Sequence, residues 1–339
     1  MKIGLTYDLK DDYKGLGLSE EQIAEFDSPE TINIIEKTIS DLGYEVVRIG
    51  NVKNLIKLLA QGQRWDLVFN IAEGLNGLAR EAQVPILLDI YEIPYTFSPP
   101  EVLINTLDKS IAKILVRQAG VPTPDFATIK QISDLKNLNL NFPLFAKPLA
   151  EGTGKGISAN SHIKNKAELK TVCKDLLEKF KQPVLVETFL SGREFTVGIV
   201  GNGAECEVIG ILEVILKENA EDYCHSYTNK ENCEELVEYK ISYDAEALKA
   251  GETAKKAWLA LGGRDAGRLD LRSDDKGIPH FMEANPLAGI HPTHSDLPIL
   301  ATQAGIEYKE LIRRIIDAAK KRNSIKDIQL KIQKSEFKG

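Results

Sequence analysis

Short apolar segments alternate with helical ones through the first hundred residues, and this order restricts the fold more than any other feature of the chain. Strands are predicted at Lys2–Tyr7, Tyr44–Ile49, Asp66–Asn70 and Pro94–Phe97. A helix is predicted after Ser28-Pro29, because serine is a favoured N-cap, proline a favoured first helical residue, and isoleucines follow at near-3.6 spacing. Strands that alternate with helices form parallel sheets covered on both faces. We therefore predict an α/β fold that begins with a parallel, doubly wound sheet.

The rest of the chain departs from this pattern. At 339 residues it exceeds what one simple core accommodates. Its central part reads as mixed α+β, and the segments after residue 191 read as antiparallel strands closed by two helices. We predict an N-terminal domain over residues 1–105, a central domain over 106–190 and a C-terminal domain over 191–322, followed by a lysine-rich tail at 323–339.

Composition and charge argue against several classes of protein. Acidic residues outnumber Lys and Arg by 50 to 43, a formal net charge of −7, which disfavours nucleic acid or an anionic membrane as a partner. Asp8 interrupts the first apolar segment before a signal peptide forms, and no apolar run approaches the ~20 residues of a membrane span. The four cysteines include no CxxC pair, as expected for reduced thiols. We expect a cytoplasmic protein.

Two alternating segments near the C-terminus flank a Ser-Asp-Asp-Lys-Gly turn and predict a β-hairpin. Asp270 lies in the first segment, and Glu283 and Asn285 lie in the second. Residues two apart on a strand share a face, so Glu283 and Asn285 point the same way, with Asp270 opposite them. Mg²⁺ prefers such hard oxygen ligands alongside phosphate oxygens. The alternative is a solvated polar face of an antiparallel sheet.

A glycine-rich turn, Ala150–Gly156, follows the predicted strand that ends at Lys147. It lacks the Lys-Ser/Thr pair, the glycine spacing and the following helix of a P-loop. Its glycine N–H groups are suited to close over phosphates, with Lys147 as a point charge beneath them. The alternative is an ordinary glycine hairpin.

Taken in order, these and other short motifs resemble the ATP-grasp superfamily and, within it, the D-alanine–D-alanine ligase family. The resemblance runs from about residue 66 to 315. The motifs are Asp66–Asn70, Ile93–Thr96, Asp108-Lys109, Ala119–Pro124, Phe142–Pro148, Glu151–Thr153, Val184–Val197, Arg268–Asp270 and Glu283–Asn285. The resemblance implies an ATP-grasp fold of three domains, in which residues 1–105 precede two ATP-grasp subdomains with ATP between them.

The resemblance also implies the cofactors, which are ATP and two Mg²⁺ ions, or Mn²⁺ in their place. By position, Lys109 and Lys147 correspond to the phosphate-binding lysines, and Asp270, Glu283 and Asn285 to the metal ligands. The rest of the implied nucleotide site comprises Glu151 in the glycine turn, Glu187, Phe189 and Leu190 at the adenine hinge, and Glu194 at the ribose.

The implied reaction is that of a ligase that phosphorylates a carboxylate with ATP and lets an amine displace the phosphate. Arg268 corresponds to the arginine that stabilises the tetrahedral intermediate, and Gly289 to the backbone donor beside it. Thr153 replaces the serine of the glycine turn. Such chemistry requires neutralised phosphoryl charge and an oxyanion stabiliser more than a strong base.

The resemblance is weakest where the family binds its substrates. The family's N-terminal Gly-Gly segment is absent, and Glu25, with Glu20 as an alternative, is the candidate for the glutamate that holds the first substrate's ammonium. The family's His-Gly…Gly-Glu-Asp-Gly loop is replaced by a run from Glu73 to Glu81 that includes Arg80. These added charges indicate a different first substrate, one with a charge of its own.

The segment after Asn285 is one residue longer than is usual in the family. Ser295 is the candidate for binding the second substrate's carboxylate. His294, with its neighbours His291 and Asp296, is placed to reshape that pocket.

We therefore predict an ADP-forming ligase that joins a carboxylate or related small-molecule acceptor to the amine of an amino acid, and that forms a homodimer. Three alternatives stay open. They are an authentic D-alanine–D-alanine ligase of peptidoglycan synthesis, a ligase that joins an amino acid to a non-peptidic acceptor in secondary metabolism, and a non-catalytic ATP-binding regulator. The intact metal trio and Arg268 favour an enzyme.

Overall fold

A computed structural model describes residues 1–217, 219 and 233–325 of the protein. The strands of these residues form three sheets, and each sheet falls within one of the three predicted domain ranges. In the same part of the chain, no helix is both long enough and apolar enough to cross a membrane.

The N-terminal sheet is parallel, with β1 at its centre. Its strands, in the order β2-β1-β3, are β1 (Lys2–Thr6), β2 (Glu45–Gly50) and β3 (Leu67–Asn70). The accompanying helices are α1 (Lys10–Tyr13), α2 (Pro29–Asp41), α3 (Val52–Ala60), α4 (Gln83–Ile90) and α5 (Pro100–Leu107). Ile32 and Ile35 of α2 pack on one face of the sheet, and Leu55 of α3 and Leu88 of α4 on the other. The predicted double winding is confirmed.

The prediction of a fourth strand at Pro94–Phe97 was wrong. The backbone of this segment meets the sheet through a single isolated bridge between Val68 and Tyr95. Pro94 has no N–H to donate to a ladder. Phe97 adopts a φ of 71° and donates its N–H to the Asp265 carboxylate at 2.9 Å. The end of the segment therefore leaves the sheet for a contact with the C-terminal part of the chain.

The central sheet is antiparallel and carries the glycine-rich turn. Its strands, in the order β4-β7-β5-β6, are β4 (Phe126–Ile129), β5 (Leu144–Pro148), β6 (His162–Ile163) and β7 (Val184–Thr188). Helix α6 (Lys109–Gln118) precedes the sheet, and α7 (Lys166–Phe180) packs Leu169 and Cys173 against it. The glycine-rich turn connects β5 to β6.

The C-terminal sheet is also antiparallel and has the order β10-β9-β8-β11-β12. Its strands are β8 (Glu194–Val200), β9 (Glu207–Leu216), β10 (Val237–Ile241), β11 (Ala266–Ser273) and β12 (Pro279–Asn285). The helices are α8 (Cys233–Leu236), α9 (Ala245–Leu261), α10 (Asp296–Gln303) and α11 (Tyr308–Arg322). Strand β10 was not predicted, although Val237, Tyr239 and Ile241 alternate with charged residues as an exposed edge strand does.

One apolar core joins the two ends of the chain. Ile32 and Ile35 of α2 share a buried cluster with Leu300 of α10 and with Ile312 and Ile316 of α11. The closing helices thus pack against the N-terminal sheet as well as the C-terminal one. The predicted tail begins where α11 ends, and residues 326–339 of it lie outside the described residues.

Candidate active site

The hairpin predicted to hold the metal ligands forms β11 and β12, with β12 at the edge of the C-terminal sheet. Asp270 lies directly opposite Glu283, and Arg268 lies opposite Asn285. The register shifts after Asp270, which re-aims the strand next to the two carboxylates. Because opposed residues of an antiparallel pair share a face, the four predicted side chains come together as expected.

The guanidinium of Arg268 lies between two carboxylates. It donates to Asp270 and approaches Asp296 at the start of α10, with 3.4 Å between Nε and Oδ2. Thr196 of β8 donates to the other oxygen of Asp270 at 2.9 Å. The exposed fractions of Arg268, Asp270 and Asp296 are only 13–16%, so their charges are weakly screened. Arg268 is therefore a fixed cation beside Asp270.

A line of buried charges connects this hairpin to the central sheet. One oxygen of Glu283 lies 3.7 Å from the Lys109 ammonium and 3.6 Å from the Lys147 ammonium. Lys147 also lies 3.4 Å from Glu187, whose second oxygen lies 2.9 Å from the Lys113 ammonium. The two lysines predicted to bind phosphate therefore converge on one predicted metal ligand.

Burial and mutual attraction oppose each other in setting the pKa values of these groups. Burial lowers the pKa of Lys109, and it lowers that of Lys113 to about 8. For Lys147 burial acts in the same direction, but the attraction of Glu187 and Glu283 outweighs it and raises the pKa. Burial would raise the pKa of Glu187, yet Lys113 and Lys147 hold it below its usual value.

Lys113 was missed in the sequence analysis. It is fully buried and donates to the Phe281 carbonyl at 3.3 Å and to the Thr123 hydroxyl at 3.2 Å. The available signal was its place on α6, where Lys109, Ala112, Lys113 and Val116 share the buried face. A lysine within the apolar stripe of an amphipathic helix needs a buried acid as a partner.

The glycine-rich turn is fastened to the N-terminal part of the chain through Glu25. Gly152 donates its N–H to Glu25 at 3.0 Å, Lys155 lies 3.1 Å from the carboxylate and Arg80 lies 3.5 Å from it. Burial opposes ionisation of Glu25, but Lys155 and Arg80 together lower its pKa. Glu25 and Arg80, both predicted to bind substrate, are thus paired with each other.

The remaining residues of the turn are held by the central sheet and α6. The Lys109 ammonium donates to the Glu151 carbonyl at 2.5 Å, and Gln182 donates to the Glu151 carboxylate at 2.7 Å. Thr153 adopts a φ of 50°, which is uncommon for a β-branched residue. The predicted residue Glu151 therefore lies beside the Lys109 ammonium, and Thr153 follows two residues later in the same constrained turn.

A narrow cleft of about 80 Å³ lies between the central and C-terminal sheets. Its walls include Lys109, Lys147, Glu194, Asp270 and Glu283, which the sequence assigned to the nucleotide and the metal. Ligand pockets commonly enclose roughly 300–1,000 Å³. The cleft therefore has to widen to admit a nucleotide.

The predicted adenine hinge begins in the last residues of β7 and is not part of the described lining of this cleft. Glu187 is fully buried and Leu190 is nearly so. The Phe189 ring lies 4.3 Å from the His162 ring and 5.1 Å from the Arg272 guanidinium. Arg272 also lies 3.4 Å from Glu194, so Phe189 and Glu194 are joined through one arginine at the side of the cleft.

A second cavity of about 710 Å³ adjoins the cleft. Lys109, Glu151 and Glu283 line both spaces. The predicted residues that also line the second cavity are Glu25, Glu73, Thr153, Arg268, Asn285, Gly289, His294 and Ser295. Catalytic and substrate residues predicted from distant parts of the sequence thus surround one space of ligand size.

Ser295 and the two histidines form one wall of this cavity. Ser295 accepts a hydrogen bond from the His291 N–H at 3.0 Å, and the rings of His291 and His294 lie 4.6 Å apart. A Cβ on Gly289 would approach the Ser295 hydroxyl to 2.7 Å. Gly289 therefore keeps its backbone close to Ser295 in a way that a larger residue would disturb.

The hairpin residues fit a divalent cation by their donor chemistry. Two carboxylates and an amide supply hard oxygens, and Mg²⁺ commonly completes its coordination with water and substrate phosphates. In the described parts of the chain, no three His, Cys, Asp or Glu side chains form a preformed metal site. The side-chain nitrogen of Asn285 is buried and lacks a hydrogen-bond partner there, whereas a divalent cation would bind the side-chain oxygen.

The fold and this site together define an ATP-grasp protein. The family model for the C-terminal part of D-alanine–D-alanine ligases matches residues 115–317. A D-alanine–D-alanine ligase of Aquifex aeolicus is 33% identical over 292 residues, which are 85% of this chain and 94% of the relative. An uncharacterized protein of Sinorhizobium fredii is 31% identical over 298 residues, 84% of this chain and 85% of that protein.

A solved structure shows the same fold. The structure of D-alanine–D-alanine ligase from Bacillus anthracis complexed with ATP aligns with a TM-score of 0.72 at 22% identity, covering 96% of this chain and 99% of that one. The chain belongs to the D-alanine–D-alanine ligase family, whose members are ADP-forming, ATP-dependent ligases that make a C–N bond. The predicted fold class, family and class of enzyme are confirmed.

Proposed function

We propose that the protein uses ATP to phosphorylate a substrate carboxylate and then condenses it with the amine of an amino acid. The observation that supports this most directly is the convergence of Lys109 and Lys147 on Glu283, opposite Asp270 and next to the larger cavity. Two Mg²⁺ ions, or Mn²⁺ in their place, would be held by Asp270, Glu283 and Asn285 and would neutralise phosphoryl charge.

Each charged residue of the site then has a role in the two steps. A carboxylate oxygen of the first substrate attacks the γ-phosphorus, and ADP leaves, while Lys109 and Lys147 bind phosphoryl oxygens. The amine attacks the activated carbonyl carbon and loses a proton to solvent, and phosphate leaves with the carboxylate oxygen that had attacked the γ-phosphorus. Arg268 and the Gly289 N–H stabilise the oxyanion that forms when the amine adds and that collapses when phosphate leaves. The turn at Thr153 closes over the phosphates.

The nucleotide and substrate residues complete the proposal. The adenine lies against Glu187, Phe189 and Leu190, the ribose against Glu194, and Glu151 holds the turn beside Lys109. Ser295 and His294 bind the second substrate. Glu73 contacts the first substrate, while Glu25 and Arg80 shape its pocket as a pair.

We also propose the three domains at 1–105, 106–190 and 191–322, a tail at 323–339, a homodimer and a cytoplasmic location. The three sheets, each confined to one of these ranges, support the division. Cys173 and Cys206 are free and buried, as expected for reduced thiols.

D-alanine–D-alanine synthesis is a narrower candidate, favoured by the Aquifex aeolicus relative. The Glu73–Glu81 segment argues against it, because it places extra carboxylates at the cavity. An acceptor other than a peptide is the third candidate.

The test is a screen of ADP release with ATP, Mg²⁺ and pairs of D- and L-amino acids, followed by mass spectrometry of the products. We expect at least one pair to give ADP and a condensed product in equal amounts, with no product from Glu283→Gln. Binding of ATP without ADP release from any pair would instead support a non-catalytic regulator.

A further inference from the structure

The wall that the N-terminal part contributes to the larger cavity is rich in carboxylates. Glu25, Asp27, Glu73 and Glu81 all line it. Among the described residues, neither the Glu73 nor the Glu81 carboxylate has a hydrogen-bond donor or a cation within ion-pair distance. Carboxylates enclosed by protein are costly unless a cation pairs with them.

Most of the cations near this wall are already engaged within the protein. Arg80 and Lys155 pair with Glu25, Arg268 pairs with Asp270 and Asp296, and Lys109 lies against Glu283. Each of these four cations thus already lies against a carboxylate other than Glu73 or Glu81. Lys10 also lines the cavity, where its charge acts on Asp27. Glu73 and Glu81 therefore face the cavity with no ion pair of their own among the described residues, although the charge of Arg80 acts on both.

The pKa values of the Glu73 and Glu81 carboxyl groups reflect the same shortage of nearby positive charge. Burial, with Glu81 and Glu25 next in effect, raises the pKa of Glu73 well above its usual value. Burial also raises the pKa of Glu81 to about 7, although Arg80 acts in the opposite direction. A cation bound beside them would lower both values.

The cavity has room for a substrate longer than alanine. At about 710 Å³ it lies in the range of pockets that hold drug-sized molecules. It is also continuous with the metal hairpin through Glu283 and with the wall formed by Ser295 and the two histidines. A longer substrate that reaches from the reaction centre to Glu73 and Glu81 fits this shape.

We infer that the cavity takes an amino acid with a cationic side chain, whose side-chain ammonium or guanidinium binds beside Glu73 and Glu81. This inference rests on the proposed ligase activity and narrows its substrate class. Glu73 and Glu81 are then the residues that determine specificity, since a neutral side chain of equal length leaves both carboxylates unpaired.

The test compares lysine with norleucine, its neutral analogue of similar length, as D and L forms. Calorimetric binding is measured on the full chain with Mg²⁺ and a non-hydrolysable ATP analogue. We expect one enantiomer of lysine to bind at least tenfold more tightly than the matching norleucine. In Glu81→Gln, and independently in Glu73→Gln, this ratio should fall toward one. The exposed Glu207→Gln should keep the ratio of the unmodified protein.

Equal binding of lysine and norleucine to the unmodified protein would overturn the inference, as would a ratio that Glu81→Gln and Glu73→Gln both leave unchanged. If either variant fails to fold, the lysine-to-norleucine binding ratio of the unmodified protein decides whether the inference holds. Absence of ADP release with every amino-acid pair would count against the ligase proposal, while the binding ratio would still decide the charge of the ligand.

Discussion

Lys113 and Glu187 form an ion pair in which both side chains are completely shielded from solvent. Such a pair gains little over an apolar one, but removal of one partner leaves a buried charge and commonly costs roughly 3–5 kcal/mol. Lys147 also contacts Glu187 and would compensate in part. We expect Lys113→Met to lower the free energy of unfolding by about 3 kcal/mol, measured by urea denaturation.

Two further variants separate buried charge from lost packing. Adding Glu187→Gln to Lys113→Met should restore part of the stability, because the unpaired charge is then removed. Lys174→Met, which breaks an exposed pair with Glu178, should change stability by less than about 1 kcal/mol. Equal losses of unfolding free energy in Lys113→Met and Lys174→Met would show that burial does not determine how much a broken ion pair destabilises the protein.

Asp27 links the acidic cavity wall to the pH dependence of stability. Burial, together with the nearby Asp8, raises its pKa to about 7, above the value of roughly 4 in an unfolded chain. The folded protein therefore holds this proton more tightly, and the contribution of Asp27 to stability falls as pH rises from about 4 through about 7.

Replacing Asp27 with asparagine removes this dependence. We expect Asp27→Asn to be more stable than the unmodified protein at pH 8, by on the order of 2 kcal/mol, with little difference at pH 4. Thermal denaturation across this pH range measures the effect, and the exposed Asp275→Asn serves as the control. A gain of equal size at both pH values would contradict the assignment.

Sequence reasoning at the residue scale predicted which hairpin residues share a face, but not how the other charged residues pair. Strand periodicity and the predicted hairpin placed Asp270, Glu283 and Arg268 on one face, and the register agrees. The partners of Glu25 were not predictable, because Gly152 and Lys155 lie more than a hundred residues away in the chain. Side-chain pairing of this kind depends on how the sheets pack.

At the scale of elements, the start of α6 connects local sequence to the site. The Asp108 carboxylate caps the helix by accepting from the Ser110 N–H at 2.9 Å and the Ile111 N–H at 3.1 Å. Lys109 is the first residue of the helix. The cap therefore fixes the position from which Lys109 reaches Glu151 and Glu283.

We expect Asp108→Ala to lower the free energy of unfolding by about 1 kcal/mol and to raise the KM for ATP several-fold. Asp108→Asn should retain most of both properties, because asparagine caps helices nearly as well. Denaturation and steady-state kinetics measure the two effects. If asparagine proved as harmful as alanine, the carboxylate charge rather than the cap would be responsible.

Most elements were predictable because their periodicity is local. α2, α7 and β8 follow from apolar spacing and capping residues. Pro94–Phe97 has the composition of a strand, but Phe97 is drawn away by Asp265, which the sequence places 168 residues later. Local sequence patterns do not show that a distant carboxylate competes with the sheet for this segment.

At the scale of the molecule, Asp265 joins three parts of the chain. It is fully buried and accepts from the Phe97 N–H at 2.9 Å, from Asn202 at 3.0 Å and from Arg322 at 2.8 Å. Arg322 also donates to the Tyr95 carbonyl at 2.8 Å. This junction fixes the end of α11 against the N-terminal and C-terminal parts together.

Loss of the Arg322 side chain should therefore destabilise the whole molecule. We expect Arg322→Met to lower the free energy of unfolding by about 3 kcal/mol, because Asp265 keeps a buried charge without its cation. Lys321→Met removes only an exposed pair with Glu205 and should cost less than about 1 kcal/mol. Equal denaturation midpoints for the two variants would contradict a structural role for the junction.

The proposed reaction is tested most directly by following an oxygen atom. With the amino-acid pair identified by the ADP screen, the carboxylate of the first substrate is labelled with ¹⁸O and the released phosphate is examined by mass spectrometry. Phosphorylation of the carboxylate predicts one ¹⁸O transferred to each phosphate from a fully labelled carboxylate, in step with product formation. Released phosphate without ¹⁸O, alongside a condensed product, would show that the carboxylate is not activated by transfer of the γ-phosphoryl group.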